Sequence, residues 1–147
     1  MSGRVRARVE IAATPEVVFD FFDDLEHASI LVPSLAEITA VESLPGGGRR
    51  VEYSTWGRGD EPSPASTEHL VFERPTRTVS RNVQAGIEST ATREFVAVPA
   101  GTRVVATVEW TVPVRYVGRL VSAPLRGPFR RGLATSLRAA RDAIEGR

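Results

Sequence analysis

Hydrophobic and polar residues alternate from the start of the chain, with Val5, Ala7, Val9 and Ile11 on one side and Arg4, Arg6, Arg8 and Glu10 on the other. A period of two makes residues 4–12 a half-buried strand. Thr14-Pro15-Glu16 then signals a helix start, with threonine as cap, proline at the first helical position and an acid in the first turn. Val17, Val18, Phe21, Phe22 and Leu25 give that helix its apolar stripe, and a second short helical piece around residues 26–32 ends near Pro33. Strands and turns follow as far as residue 113. The strands are expected at 36–44, 49–57, 66–74, 77–85, 87–98 and 102–112. Pro45-Gly46-Gly47-Gly48, the Gly- and Pro-rich stretch 57–64, Arg74-Pro75-Thr76, Gly86 and Pro99-Ala100-Gly101 punctuate them. Short turns between consecutive strands imply an antiparallel meander.

At the C-terminus the period changes. Phe129, Leu133, Leu137, Ala140 and Ile144 form the stripe of an amphipathic helix, with Arg130, Arg131, Arg138 and Arg141 off it. Pro128 is expected in its first turn, with a separate helical piece from Tyr116 to Leu125 broken from it at Pro124 and Gly127-Pro128. The order predicts an α+β fold: a curved seven-stranded antiparallel sheet around one long C-terminal helix, with two short helices after the first strand. No internal repeat or low-complexity tract divides the chain, so 1–147 is read as a single domain.

Composition narrows the chemistry. The 147 residues are 41% hydrophobic and 25% charged, ordinary for a globular fold. There is no cysteine and no lysine, and only two histidines, His27 and His69. Thiolate nucleophiles, disulfides, Schiff bases and phosphate loops that need an amine are thereby excluded, as is a three-histidine zinc site. No metal and no cofactor is expected. The alternating N-terminus has no signal-peptide stretch and no window is apolar enough to span a bilayer, so the chain is read as cytoplasmic.

Charge is segregated although it nets only +1. Residues 10–42 hold eight acids and no arginine, whereas residues 115–147 hold eight arginines against Asp142 and Glu145. Solvated helix faces account for both blocks. The basic tail lacks the interleaved aromatics of a nucleic-acid module, so nucleic acid is not an expected partner. Arg119, Arg126, Arg130 and Arg131, interleaved with Leu120, Leu125 and Phe129, leave peripheral contact with an anionic membrane open. The sequence sets no oligomeric state.

Few residues can carry chemistry. His69 would serve as a general base if it lined a cavity, and is an ordinary exposed strand histidine otherwise. Its parity partners Thr67, Val71 and Glu73 do not decide its face. His27 closes a helix and needs no further role. Arg81 shares a face with Val79 and Val83, and Arg93 with Ala91 and Phe95. Either, if inward, could hold a carboxylate or enolate; an unpaired inward arginine is costly, so both are expected to face outward. Tyr53 and Trp56 lie on opposite faces, so one should reach the interior. Gly46-Gly47-Gly48 lacks dinucleotide-site spacing, and Arg58-Gly59-Asp60 is a coincidental tripeptide.

Several stretches together resemble the START-like (SRPBCC) superfamily, the helix-grip fold of polyketide cyclase/dehydrase and lipid-transport proteins. They are Ile11-Ala12-Ala13-Thr14-Pro15-Glu16-Val17-Val18-Phe19, Asp24-Leu25, Pro33, Val41-Glu42-Ser43-Leu44-Pro45-Gly46-Gly47, Phe72-Glu73-Arg74-Pro75 and Gly101-Thr102-Arg103-Val104, with the terminal helix. Where many relatives carry an aromatic before that proline, this chain has only His27, and the pocket arginine–tyrosine pattern of the aromatase/cyclase branch is missing. The resemblance implies a cavity between sheet and long helix that takes a small hydrophobic molecule, such as a lipid, polyketide or isoprenoid, for carriage or sensing. A cyclase/dehydrase-type enzyme using His69 or Arg81 is the alternative, and a membrane-surface or protein-docking module a third. The expected wall comprises Phe21, Tyr53, Phe95, Val108, Trp110, Leu120, Phe129, Leu133 and Leu137, with gates at 57–65 and 116–128.

Overall fold

A computed structural model describes the backbone of residues 2–57, 59–84, 86–111 and 122–147, and the side chains over the same ranges apart from 122–125. The expected order is present: β1 (Ser2–Ile11), α1 (Pro15–Asp23), a 3₁₀ turn (Leu25–His27), α2 (Ala28–Leu31), β2 (Leu35–Ser43), β3 (Arg49–Thr55), β4 (Ser63–Glu73), β5 (Arg77–Gln84), β6 (Ile87–Val98), β7 (Gly101–Thr111) and α3 (Ser122–Glu145). The strands form one antiparallel sheet in the order β1-β7-β6-β5-β4-β3-β2. β4 starts at Ser63, inside the stretch that its Gly and Pro content assigns to a loop.

Thr14 caps α1, its hydroxyl accepting from the Val17 N–H at 3.4 Å, and Asp24 caps the following 3₁₀ turn through the Glu26 N–H at 2.9 Å. Two ion pairs pin the acidic edge of α1 across the sheet: Arg74 grips Asp20 with two nitrogens at 2.8 Å, and Arg49 reaches Asp23 at 2.9 Å. The long helix begins earlier than its stripe and prolines predict. α3 is continuous from Ser122, with Pro128 inside it rather than at its beginning. A proline removes one hydrogen bond from a helix interior, and burial of the downstream stripe outweighs that loss. Of the helical piece expected from Tyr116 to Leu125, residues 116–121, with Arg119 and Leu120, lie outside the described residues; 122–125 belong to α3, so the break expected at Pro124 is absent.

The core lies toward one side of the sheet. Val9, Ile11, Phe95, Val104 and Ala106 from β1, β6 and β7 meet Val18, Phe19 and Phe22 of α1 and Leu137 and Ala140 of α3. Val5 and Trp110 continue it, with Phe129 stacked on the indole at 4.7 Å. Gly3 permits that stack, because any side chain there would overlap the Trp110 ring. Ser136 donates to the Leu31 carbonyl at 2.8 Å and Glu145 accepts from the Ala12 N–H at 2.9 Å, fixing the middle and the C-terminal end of the stripe.

Candidate functional site

The strand register turns the concave face into rows. One runs Ala7–Ala106–Arg93–Thr78–Phe72, the next Val5–Val108–Ala91–Ser80–His69–Arg49, and the next Gly3–Trp110–Ser89–Asn82–Thr67–Val51. Each row is apolar or small where it crosses β1 and β7; the second and third turn polar across β5 and β4, whereas the first passes Arg93 and Thr78 and ends on Phe72. α3 packs on β1, β7, α1 and α2. Over β3, β4 and β5 the inward residues Tyr53, Thr67, His69, Ser80 and Asn82 are only half-buried. The face is therefore amphipathic, closed at one side and hydrogen-bonding at the other.

Within the polar part, the Thr67 hydroxyl donates to Asn82 Oδ1 at 2.8 Å and lies 3.4 Å from the Tyr53 hydroxyl. Gln84 donates to Thr55 Oγ1 at 3.2 Å. Tyr53 is thus the aromatic that reaches the interior, and Trp56, about half exposed, points away.

His69 faces inward. Parity could not reveal this because a bulge at Leu70 shifts the register, pairing His69 with Ser80 but Val71 with Val79. The bulge leaves Leu70 exposed and brings Phe72 onto the same face as His69, their rings 5.3 Å apart. The Arg49 backbone N–H donates to His69 Nδ1 at 3.0 Å. This fixes the neutral tautomer with its hydrogen on Nε2. Burial holds the imidazole below its ordinary pKa, with Asp23 opposing and the charges of Arg49 and Arg93 reinforcing the shift. Gly48 makes the seat, since a Cβ there would stand 2.5 Å from His69 Cβ.

Of the two arginines expected outward, Arg81 is: it is exposed and paired with Glu88. Arg93 is not. It shares the inner face with Phe95, and its guanidinium carbon lies 5.0 Å from the Phe22 ring centroid. Burial pulls its pKa down to about 10, so it remains a cation at neutral pH. The decisive sequence signal is its parity with Ala91 and Phe95, which the cost of burying a cation argues against.

Phe95, Trp110 and Leu137 of the expected wall lie deep in the core, whereas Phe21, Tyr53, Val108, Phe129 and Leu133 are half-buried. His27 is structural: its ring stacks on Phe21 at 3.9 Å and its Nδ1 meets the Phe21 carbonyl at 3.0 Å. Arg126, Arg130 and Arg131 are exposed on α3, but Phe129 turns inward onto Trp110, so the arginine face has no aromatic anchor among the described residues. An open cleft of about 490 Å³ lies where β1, β6 and β7 end, at the edge of the third row near Gly3, Ser89 and Trp110. It mixes residues from both sheet faces. None of the described helices is long and apolar enough to cross a membrane.

Solved structures share this architecture. The protein TTHA0849 from Thermus thermophilus is similar at 21% identity and TM-score 0.70 over 98% of each chain. Ara h 8.0201 is similar at 12% identity and TM-score 0.77 over the whole of both chains. The Zhui aromatase/cyclase from Streptomyces sp. R1128 is similar at 15% identity and TM-score 0.74, over 99% of this chain and 94% of its own. At such identities the likeness establishes the helix-grip fold and no activity. No curated protein matches the sequence. The family model described as polyketide cyclase/dehydrase and lipid transport matches residues 2–145, and the chain belongs to that family.

Proposed function

We propose that the protein binds one small, largely apolar molecule between the concave face of the sheet and α3, as a carrier or sensor. The observation that carries this reading is the division of the concave face: its β1–β7 side is closed by α3, while β3–β5 keep half-buried Tyr53, Thr67, His69 and Asn82 turned inward. Half-buried Phe129 and Leu133 supply apolar wall from the helix. Burying about 200 Å² of ligand carbon is worth about 5 kcal/mol before the cost of association, and a few polar contacts then fix orientation. The membership in a family described by both cyclases and lipid transport supports the same reading.

One observation favours a second reading, cyclase-type catalysis. His69 is held neutral, its Nε2–H without a partner among the described residues, in the field of the Arg93 cation, and two such donors would stabilise an enolate. In this reading Arg81 has no role, since it faces the other side of the sheet. Native mass spectrometry of the protein, as purified and after incubation with N-phenyl-1-naphthylamine, tests the binding reading. A saturable complex of one probe per chain is the expected result. Absence of any saturable complex would overturn it.

A further inference from the structure

The charge balance of the concave face narrows the ligand further, on the premise that the binding reading holds. Arg93 emerges from β6 between Ala106 and Thr78 in the register, two small neighbours that leave room for its stem. No acid pairs with it among the described residues, and the stretch from 112 to 125 contains no Asp or Glu. Asp23, the acid of α1 that acts on His69, is already gripped by Arg49 at 2.9 Å. Glu94, beside Arg93 in sequence, faces the opposite side and is exposed. What Arg93 does have is the face of Phe22, a weak counterweight for a cation removed from water.

His69 lies two strands away and one inward row along, about 12 Å between Cα atoms by ordinary strand spacing. An arginine side chain spans much of that distance, and Ser80 and Thr78 of β5 supply hydroxyls between the two. One fixed cation, one neutral N–H donor and two hydroxyls match a single negative charge shared over two oxygens. A dianion would leave a charge uncompensated.

We propose that the ligand has an apolar body ending in a carboxylate or an equivalent monoanionic oxygen group, which seats against the Arg93 guanidinium with the His69 Nε2–H as a second donor. Its apolar body then lies toward α3, where Phe129 and Leu133 present the wall.

The test is displacement of N-phenyl-1-naphthylamine by a matched pair, decanoic acid and decan-1-ol, on wild type, Arg93→Met and Arg81→Gln. Wild type and Arg81→Gln should prefer the acid by about tenfold or more, the worth of one hydrogen bond to a charged group. Arg93→Met should erase that preference while still binding the naphthylamine and the alcohol, which also reports that its cavity is intact. Equal displacement by acid and alcohol in wild type, or a preference that survives in Arg93→Met, overturns this inference and leaves the binding reading standing. Failure of the naphthylamine to bind wild type overturns both.

Discussion

Replacing Arg93 with methionine should make the protein more stable. At neutral pH the guanidinium is charged in both folded and unfolded chains, so the whole penalty of burying it bears on the folded state. Its fall from the ordinary arginine value to about 10 corresponds to about 3 kcal/mol against the charged form, an upper figure because the side chain keeps some access to solvent. Methionine preserves most of the apolar stem and loses the cation–π contact with Phe22, worth about 1 kcal/mol. The net gain is about 1 to 2 kcal/mol. For a chain of 147 residues that raises Tm by about 3 to 6 °C, read by thermal unfolding followed with far-UV circular dichroism and checked by urea titration. A Tm lowered by several degrees would mean instead that Arg93 is satisfied in the folded protein. Stability gained together with loss of the acid preference is the pattern expected of a residue kept for binding rather than for folding.

Other substitutions follow from the same contacts. Leu137→Ala, at a position 2% exposed between α1 and the sheet, should cost about 2 to 5 kcal/mol and lower Tm by about 6 to 15 °C in the same unfolding experiment. Gly48→Ala forces a Cβ into His69 Cβ, both tethered to neighbouring strands; it should destabilise by about 1 to 3 kcal/mol and broaden or shift the His69 ring signals in NMR spectra. His69 has a folded pKa below its unfolded value, because burial and the charges of Arg49 and Arg93 outweigh the opposing charge of Asp23. The unfolded chain therefore takes up the proton first, and stability falls as pH drops below the ordinary histidine value of about 6.5 toward the depressed folded one. Urea titrations across that window should show the decline in wild type and a flatter profile in His69→Gln.

Most of the fold is legible in the sequence because strand alternation, turn residues and the helical stripe all agree. Val5, Val9 and Ile11 are buried as their parity requires, and Leu137 and Ala140 as theirs does. The departures have local causes. The β4 bulge at Leu70 breaks the alternation that would otherwise assign His69 to a face. Pro128 looks like a helix start because a proline is easily tolerated there, yet tertiary packing carries α3 through it. Arg93 is expected outward because burying an unpaired cation is unfavourable, yet the β6 register turns it inward beside Phe95 and over the Phe22 ring. No composition or spacing rule reveals that Tyr53, Thr67, Asn82 and His69 share one surface, since their neighbourhood is created by register across three strands.

A crystal structure of the protein with decanoic acid would show where a ligand sits. One molecule is expected between the concave face and α3, its carboxylate within hydrogen-bond distance of the Arg93 guanidinium and its chain against Phe129 and Leu133. Ligand density confined to the outer surface, or a chain buried with its carboxylate turned away from Arg93, would contradict that placement.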